Sequence, residues 1–290
     1  MQIAIATTQP FSFAQTLAFA CRFKPLETAA IIGPDHMVAA FAHGGRGYAV
    51  ELRAPGARGG RVDDNLEVTL ADDAPIELAR RGADLVGATD DLAPFYARAE
   101  GDPTMAKVIQ KLAGLHQVRF LGLEEIAVYC VMMQRTPVRV AARYKQRFLE
   151  KFGLPVMHAG RELRAMPELA ALAQLEADDI AEAINHQQKA ERIATVVRGV
   201  HAIGEEFLRT APFAEARDAL LEIPGVGPFS AHAILLRGLG RTEGLPSLEM
   251  FEEPGRKVYG RSWNPDAMTR RYGQHIGTWA YYLKVIASRS

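Results

Sequence analysis

Two apolar helical runs meet at a stretch that no helix can cross, ARDALLEIPGVGPFSAHAILLRG, residues 216–238. Pro224 lacks an N–H and clashes with the turn before it, so the first run ends at about Ile223. Gly225 and Gly227 allow backbone angles and a close approach that a Cβ would forbid. Pro228 suits the first position of a new helix. The N–H groups at the start of that helix face outward, and the helix dipole adds positive potential there. Such a turn can hold a phosphate without a basic side chain. An ordinary tight turn between two packed helices is the other reading, and PGVG alone does not choose between them.

The rest of the chain divides by pattern. Up to about residue 95, short β-rich runs dominate: TAAIIG, HMVAAFA, GYAVELRA and LEVTLA, the last two alternating apolar and polar. Turn clusters separate them, GPD at 33–35, GGRG at 44–47 and APGARGG at 54–60. One early segment, PFSFAQTLAFACRF, places Phe11, Leu17 and Phe19 where a helix could bury them together. From Asp90 onward the pattern is helical, with acidic residues in first turns and Gly153 as a stop for TPVRVAARYKQRFLEKFG. The expected architecture is α+β. A mixed domain at 1–95 with a small antiparallel sheet precedes a helical domain at 96–290, which carries the helix–turn–helix at about 212–239.

Composition narrows the function classes. Apolar residues make up 48% of the 290, enough for a folded core. The formal net charge is zero, so any grip on a polyanion must come from local patches and backbone groups. Cys21 and Cys130 are the only cysteines, too few for a four-cysteine zinc or iron–sulfur site. No basic segment followed by an apolar run opens the chain, and no run approaches the ~20 apolar residues of a membrane span. A cytoplasmic, nucleoid-associated protein that does not enter membranes is the expectation.

Around the turn, LxxIPGVGPxSA resembles the helix-hairpin-helix signature of base-excision DNA glycosylases. PFSFAQTLAF, DDLAPFYARAEGDPTMAKVIQKLAGLHQVRF, YCVMMQRTPVRVAARYKQRFLEKFG, HQQKAERI and GTWAYYL resemble further segments of the 3-methyladenine DNA glycosylase II branch, in the same order. The resemblance runs over nearly the whole chain. It implies a monomeric enzyme that flips a damaged base out of double-stranded DNA and cleaves its glycosidic bond.

The matching positions carry the implied roles. Gln134 and Arg135 match the wedge that fills the vacated stack; a solvated pair at a helix end is the plainer reading. Pro224, Gly225, Val226, Gly227 and Ser230 match the backbone-gripping hairpin. The carbonyls of Leu221, Ile223 and Val226 match a structural Na⁺ or K⁺ site, with no cofactor needed for catalysis. Phe229 stands where bifunctional members carry a lysine nucleophile, which points to a monofunctional enzyme. Phe229, Phe19 and Trp279 match or neighbour the rings of the base pocket, although each could equally be core. Ala233, Glu249 and Ile276 stand where that branch has further aromatics, so its substrate preference does not carry over. His186 and His232 lie in the DNA-facing segments, where a packed or surface histidine is the ordinary reading.

The family's catalytic aspartate is missing. In LPSLEMFEE the aligned residue is Leu248, and leucine supplies no charge. Glu249 is the nearest substitute, with Glu252 and Glu253 next; a solvated acidic helix start is the alternative for all three. Two functions follow: a glycosylase releasing alkylated bases with Glu249 as its carboxylate, or a catalytically impaired damage-binding protein on the same scaffold.

Overall fold

The computed structural model describes residues 1–55 and 62–289. The turn cluster expected at 54–60 lies mostly outside the described residues. Five antiparallel strands form the N-terminal sheet in the order β1-β5-β4-β3-β2: β1 (Gln2–Ala6), β2 (Ala30–Ile32), β3 (His36–His43), β4 (Arg46–Arg53) and β5 (Asn65–Leu70). Four of these match the β-rich runs. The fifth, QIAIA, has the period-2 pattern of a strand but was not expected; it pairs with β5, which lies more than fifty residues further along the chain.

The helical remainder is interrupted, against expectation. LPVMHAGRELRA forms a two-stranded hairpin, β6 (Leu154–His158) and β7 (Arg161–Ala165), turned by Ala159 and Gly160 in left-handed conformations. This hairpin explains the odd pattern of β3. One face of β3, with Met37, Ala39 and Phe41, packs on the main N-terminal core. The other, with Val38, Ala40 and Ala42, packs against Val156, Leu163 and Ala165 of the hairpin. A strand buried on both faces reads as a continuous apolar run rather than an alternating one. The hairpin therefore ties the helical part to the sheet across the boundary expected at residue 95.

Helix Phe13–Ala20 starts at Ser12, whose hydroxyl accepts from Gln15 N; Phe11 and Leu17 are buried beneath it. A second fastening joins early and late segments. Asp102 caps helix Pro103–Lys111 through Thr104 N at 3.1 Å and Met105 N at 3.0 Å. Its other oxygen accepts the hydroxyls of Tyr259 (2.8 Å) and Tyr272 (2.9 Å), both buried. Trp279 donates to Tyr259 Oη at 3.0 Å, so the final helix Ile276–Arg289 is held to the same carboxylate.

The helix after the PGVG turn is not uniform. It runs as α-helix from Pro228 to Ala233, then as a π-helical segment from Ile234 to Gly238. Such segments carry one residue more per turn than an α-helix and recur at functional sites.

Candidate functional site

The hairpin and the C-terminal end of helix Leu123–Met133 enclose a groove of about 980 Å³. Gly225 turns the chain with φ at +95°, and a Cβ there would sit 2.6 Å from Arg192 Cγ, so the turn needs glycine for two reasons. Gly227 is different. Its φ is −100° and a Cβ would meet nothing within 4 Å, so within the free chain it has no steric need to be glycine. Gly227, Phe229 and Ser230 present first-turn N–H groups that have no intrahelical acceptor.

Gln134 knits the groove together. Its Nε2 donates to Gly225 O at 2.8 Å and reaches Ser230 Oγ at 3.3 Å, while its Oε1 accepts from Arg192 Nη1 at 2.8 Å. Lys189 donates to the carbonyls of Gln134 (2.8 Å) and Val131 (3.2 Å), and burial lowers its pKa. In the DNA-free chain the Gln134 side chain is therefore engaged with the hairpin, and the hydroxyl of the buried Ser230 meets Gln134 Nε2. Arg135 beside it is exposed, held in the left-handed region at φ +49°, and without an ion-pair partner among the described residues. Among the described residues no Asp or Glu lines the groove, while Arg135, Lys189 and Arg192 do. His186 caps helix Gln187–Ile203 through Lys189 N, a structural task.

Sequence reasoning missed a basic stripe beside this groove. Arg139, Arg143 and Arg147 recur every fourth residue on helix Val138–Phe152, all exposed and without ion-pair partners among the described residues. The signal was present in RVAARYKQR as spacing. A net charge of zero for the whole chain conceals it.

Phe229 is the hinge of the site. It is 49% exposed and lines both the groove and a second, apolar cleft of about 250 Å³. That cleft lies between the PGVG helix, the LPSLEM loop and the final helix; Leu236, Leu245, Met250, Phe251 and Tyr281 make its apolar walls. His232 is buried with Nδ1 2.8 Å from Pro228 O, and burial lowers its pKa, so the ring is neutral at pH 7 with Nε2 as acceptor. Arg237 enters the wall caged by rings, its Cζ 4.5 Å from the centroid of Phe23, 5.7 Å from Phe19 and 5.9 Å from Tyr281. Burial pulls its pKa down to about 10, which leaves it charged at neutral pH. Lys284 holds its ammonium 4.7 Å over the Phe251 ring.

The expected pocket rings divide. Phe229 lines the cleft; Phe19 stands behind the wall, against Arg237 and edge-on to Tyr281 at 5.1 Å. Trp279 does not reach it. The indole is fully buried, parallel to Trp263 at 6.0 Å and near-parallel to Tyr272 at 5.9 Å, and serves as core. Among the described residues no Asp or Glu lines the cleft. Leu248 and Glu249 sit at the turn Glu249–Phe251, whose Met250 and Phe251 do line it; Glu249 itself is exposed, with no side-chain partner among the described residues. Glu252 is engaged by Arg256 at 3.0 Å, whereas Glu253, like Glu249, is exposed with no side-chain partner among the described residues.

This backbone has a precedent. A 3-methyladenine DNA glycosylase from Archaeoglobus fulgidus superposes with a TM-score of 0.77 at 17% identity, covering 99% of this chain and 98% of that one. The chain has the fold of the helix-hairpin-helix DNA glycosylase superfamily. An 8-oxoguanine glycosylase/lyase from Clostridium acetobutylicum shares the glycosylase fold at TM-score 0.70 and 14% identity, over 97% and 94% of the two chains. In sequence, the chain is 31% identical over 153 residues to a DNA-3-methyladenine glycosylase of Bacillus subtilis, covering 52% of this chain and 50% of that protein. It thus spans about half the length of that curated relative. No family model matches. Among the described residues no helix is long and apolar enough to cross a membrane.

Proposed function

We propose that this chain is a monofunctional DNA N-glycosylase of base excision repair, a monomer that flips alkylated bases from duplex DNA and releases them by hydrolysis. One observation carries the reading: a groove lined by cations and hairpin N–H groups, with no carboxylate, meets an apolar cleft at a single exposed ring, Phe229. The groove suits a phosphate backbone, and the cleft, at about 250 Å³, is scaled to one heterocycle rather than to a drug-sized ligand. Phe229 is placed to stack on an extruded base, with Arg135 entering the gap left behind.

Water is the nucleophile in this reading, because Phe229 occupies the position of the lysine that would form a Schiff base. Glu249 steadies the positive charge that grows on the sugar as the base departs. A Na⁺ or K⁺ on the carbonyls of Leu221, Ile223 and Val226 would brace the turn. The Ile223 oxygen already accepts Val226 N–H at 3.0 Å, and a carbonyl oxygen keeps a second lone pair. The setting is the cytoplasm, on the nucleoid. The absence of a carboxylate from the cleft wall favours one second reading, a damage-binding protein that flips a base without releasing it.

The test is direct. Duplexes carrying single alkylated or deaminated bases are incubated with excess protein and then treated with hot alkali, which breaks the strand at any abasic site. Strand breaks at the lesion are expected. Tight lesion binding with no breaks on any duplex selects the second reading.

The arginine stripe gives a separate expectation. Each phosphate contact contributes close to one unit to the slope of log K against log salt. Replacing Arg139 and Arg143 by alanine should lower that slope by about 2 and weaken binding evenly across DNA sequences. An unchanged slope in a fluorescence titration would take the stripe out of the interface.

A further inference from the structure

Six buried side-chain polar atoms among the described residues have no hydrogen-bond partner, and three of them stand together in the cleft wall: Gln117 Oε1, Gln117 Nε2 and Arg237 Nη2. Gln117 is only 8% exposed, and its residue separates this cleft from a smaller one of about 200 Å³ bounded in part by Thr278 and Tyr282. An interior amide unmatched at both its oxygen and its nitrogen is rare, because an unmet buried group costs free energy with no return. The mechanism above leaves all three atoms unused.

Their count selects a ligand. Two are donors and one is an acceptor. A lactam edge, with a ring N–H beside a carbonyl, supplies the complement: one donor, and one oxygen with two lone pairs. An amidine edge such as that of adenine supplies the inverse, an amino donor and a single ring-nitrogen acceptor, and sets its amino group against a guanidinium that can only donate. The charge on Arg237 also opposes a cationic base in an apolar cleft that holds no carboxylate.

We infer that Gln117 and Arg237 form a base-reading site for a neutral base with a lactam edge, so that lactam bases, deaminated ones among them, enter the cleft ahead of adenine-type or cationic ones. This rests on the reading of the cleft as a pocket for a flipped base. Alkylation that leaves the ring neutral and the lactam intact passes the same filter.

The test is equilibrium binding to duplexes carrying 2′-fluoro-deoxyinosine or 2′-fluoro-deoxyadenosine opposite an abasic analogue. The fluorine blocks base release, and the missing partner removes any difference in pairing strength. The wild-type chain should bind the inosine duplex about 10–100-fold more tightly, the scale of hydrogen bonds that include a charged donor. Gln117→Leu and Arg237→Met should each bring that ratio towards one, and either variant suffices if the other does not fold. Equal affinity of the wild type for the two duplexes overturns the inference, as does a ratio that both variants leave intact. The outcome does not depend on turnover. A chain with the preference but no base release keeps this site and loses the glycosylase reading, whereas release without the preference does the reverse.

Discussion

Replacing Lys145 by methionine should destabilise the fold by about 3–5 kcal/mol, out of the ~5–15 kcal/mol by which ordinary domains are stable. Lys145 and Glu125 form an ion pair in the interior, with side chains only 3% and 1% exposed. Lys145 also donates to Pro25 O, and the second oxygen of Glu125 accepts Leu121 N–H at 2.7 Å. The pair therefore joins helix Val138–Phe152, helix Leu123–Met133 and the segment after the first helix at one point. Removing the lysine leaves a carboxylate buried with one backbone partner. Urea titration should show the loss as a lower midpoint at unchanged slope. The double change Lys145→Met with Glu125→Gln should recover part of it, because a neutral amide still accepts from Leu121 and no charge is stranded. A single variant within 1 kcal/mol of wild type would mean that water reaches the pair.

Glu249→Gln should slow single-turnover base release by ~10²–10⁴-fold, the usual loss when a positioned acid or base is removed. The change keeps length and hydrogen bonding but deletes the charge. Of the neighbouring carboxylates, Glu252 is held by Arg256, and Glu253 lies in the first turn of the helix that follows, further along the chain from the cleft-lining Met250 and Phe251; the Glu253→Gln variant therefore serves as the control. Affinity for the lesion duplex should change little, because Glu249 stands outside both the groove and the cleft. Release at the wild-type rate by Glu249→Gln would remove Glu249 from the chemistry. Loss of release together with loss of affinity would mark it as a binding residue instead.

The parts of this molecule that were legible in the sequence are those specified within a few residues. The PGVGP turn, four of the strands and the helix starts depend on proline, glycine, capping groups and local periodicity. The illegible parts depend on partners distant in the chain. Residues 154–165 form a hairpin because a bare sheet face awaits them, and β1 exists because β5 offers an edge. Trp279 has the appearance of a pocket ring until Tyr259, Tyr272 and Trp263 close around it. The wedge role of Gln134 is implied by the family resemblance alone, and its hydrogen bonds to Gly225 and Arg192 are visible only in three dimensions. Gln117 left a faint trace, a polar residue within the largely apolar run LHQVRFLGL.

The π-helical segment Ile234–Gly238 has an evolutionary corollary. A π turn is an α-helix that has gained one residue, and each residue advances an α-helix by about 100°. Arg237 lies within that turn, so its direction relative to Phe229 is set by the register of the insertion as much as by its own side chain. Deletion of one residue between Ala233 and Arg237 would rotate the guanidinium away from the cleft while leaving the hairpin and Phe229 in place. A single three-nucleotide loss would thus take Arg237 out of the cleft wall without any substitution in the PGVG hairpin.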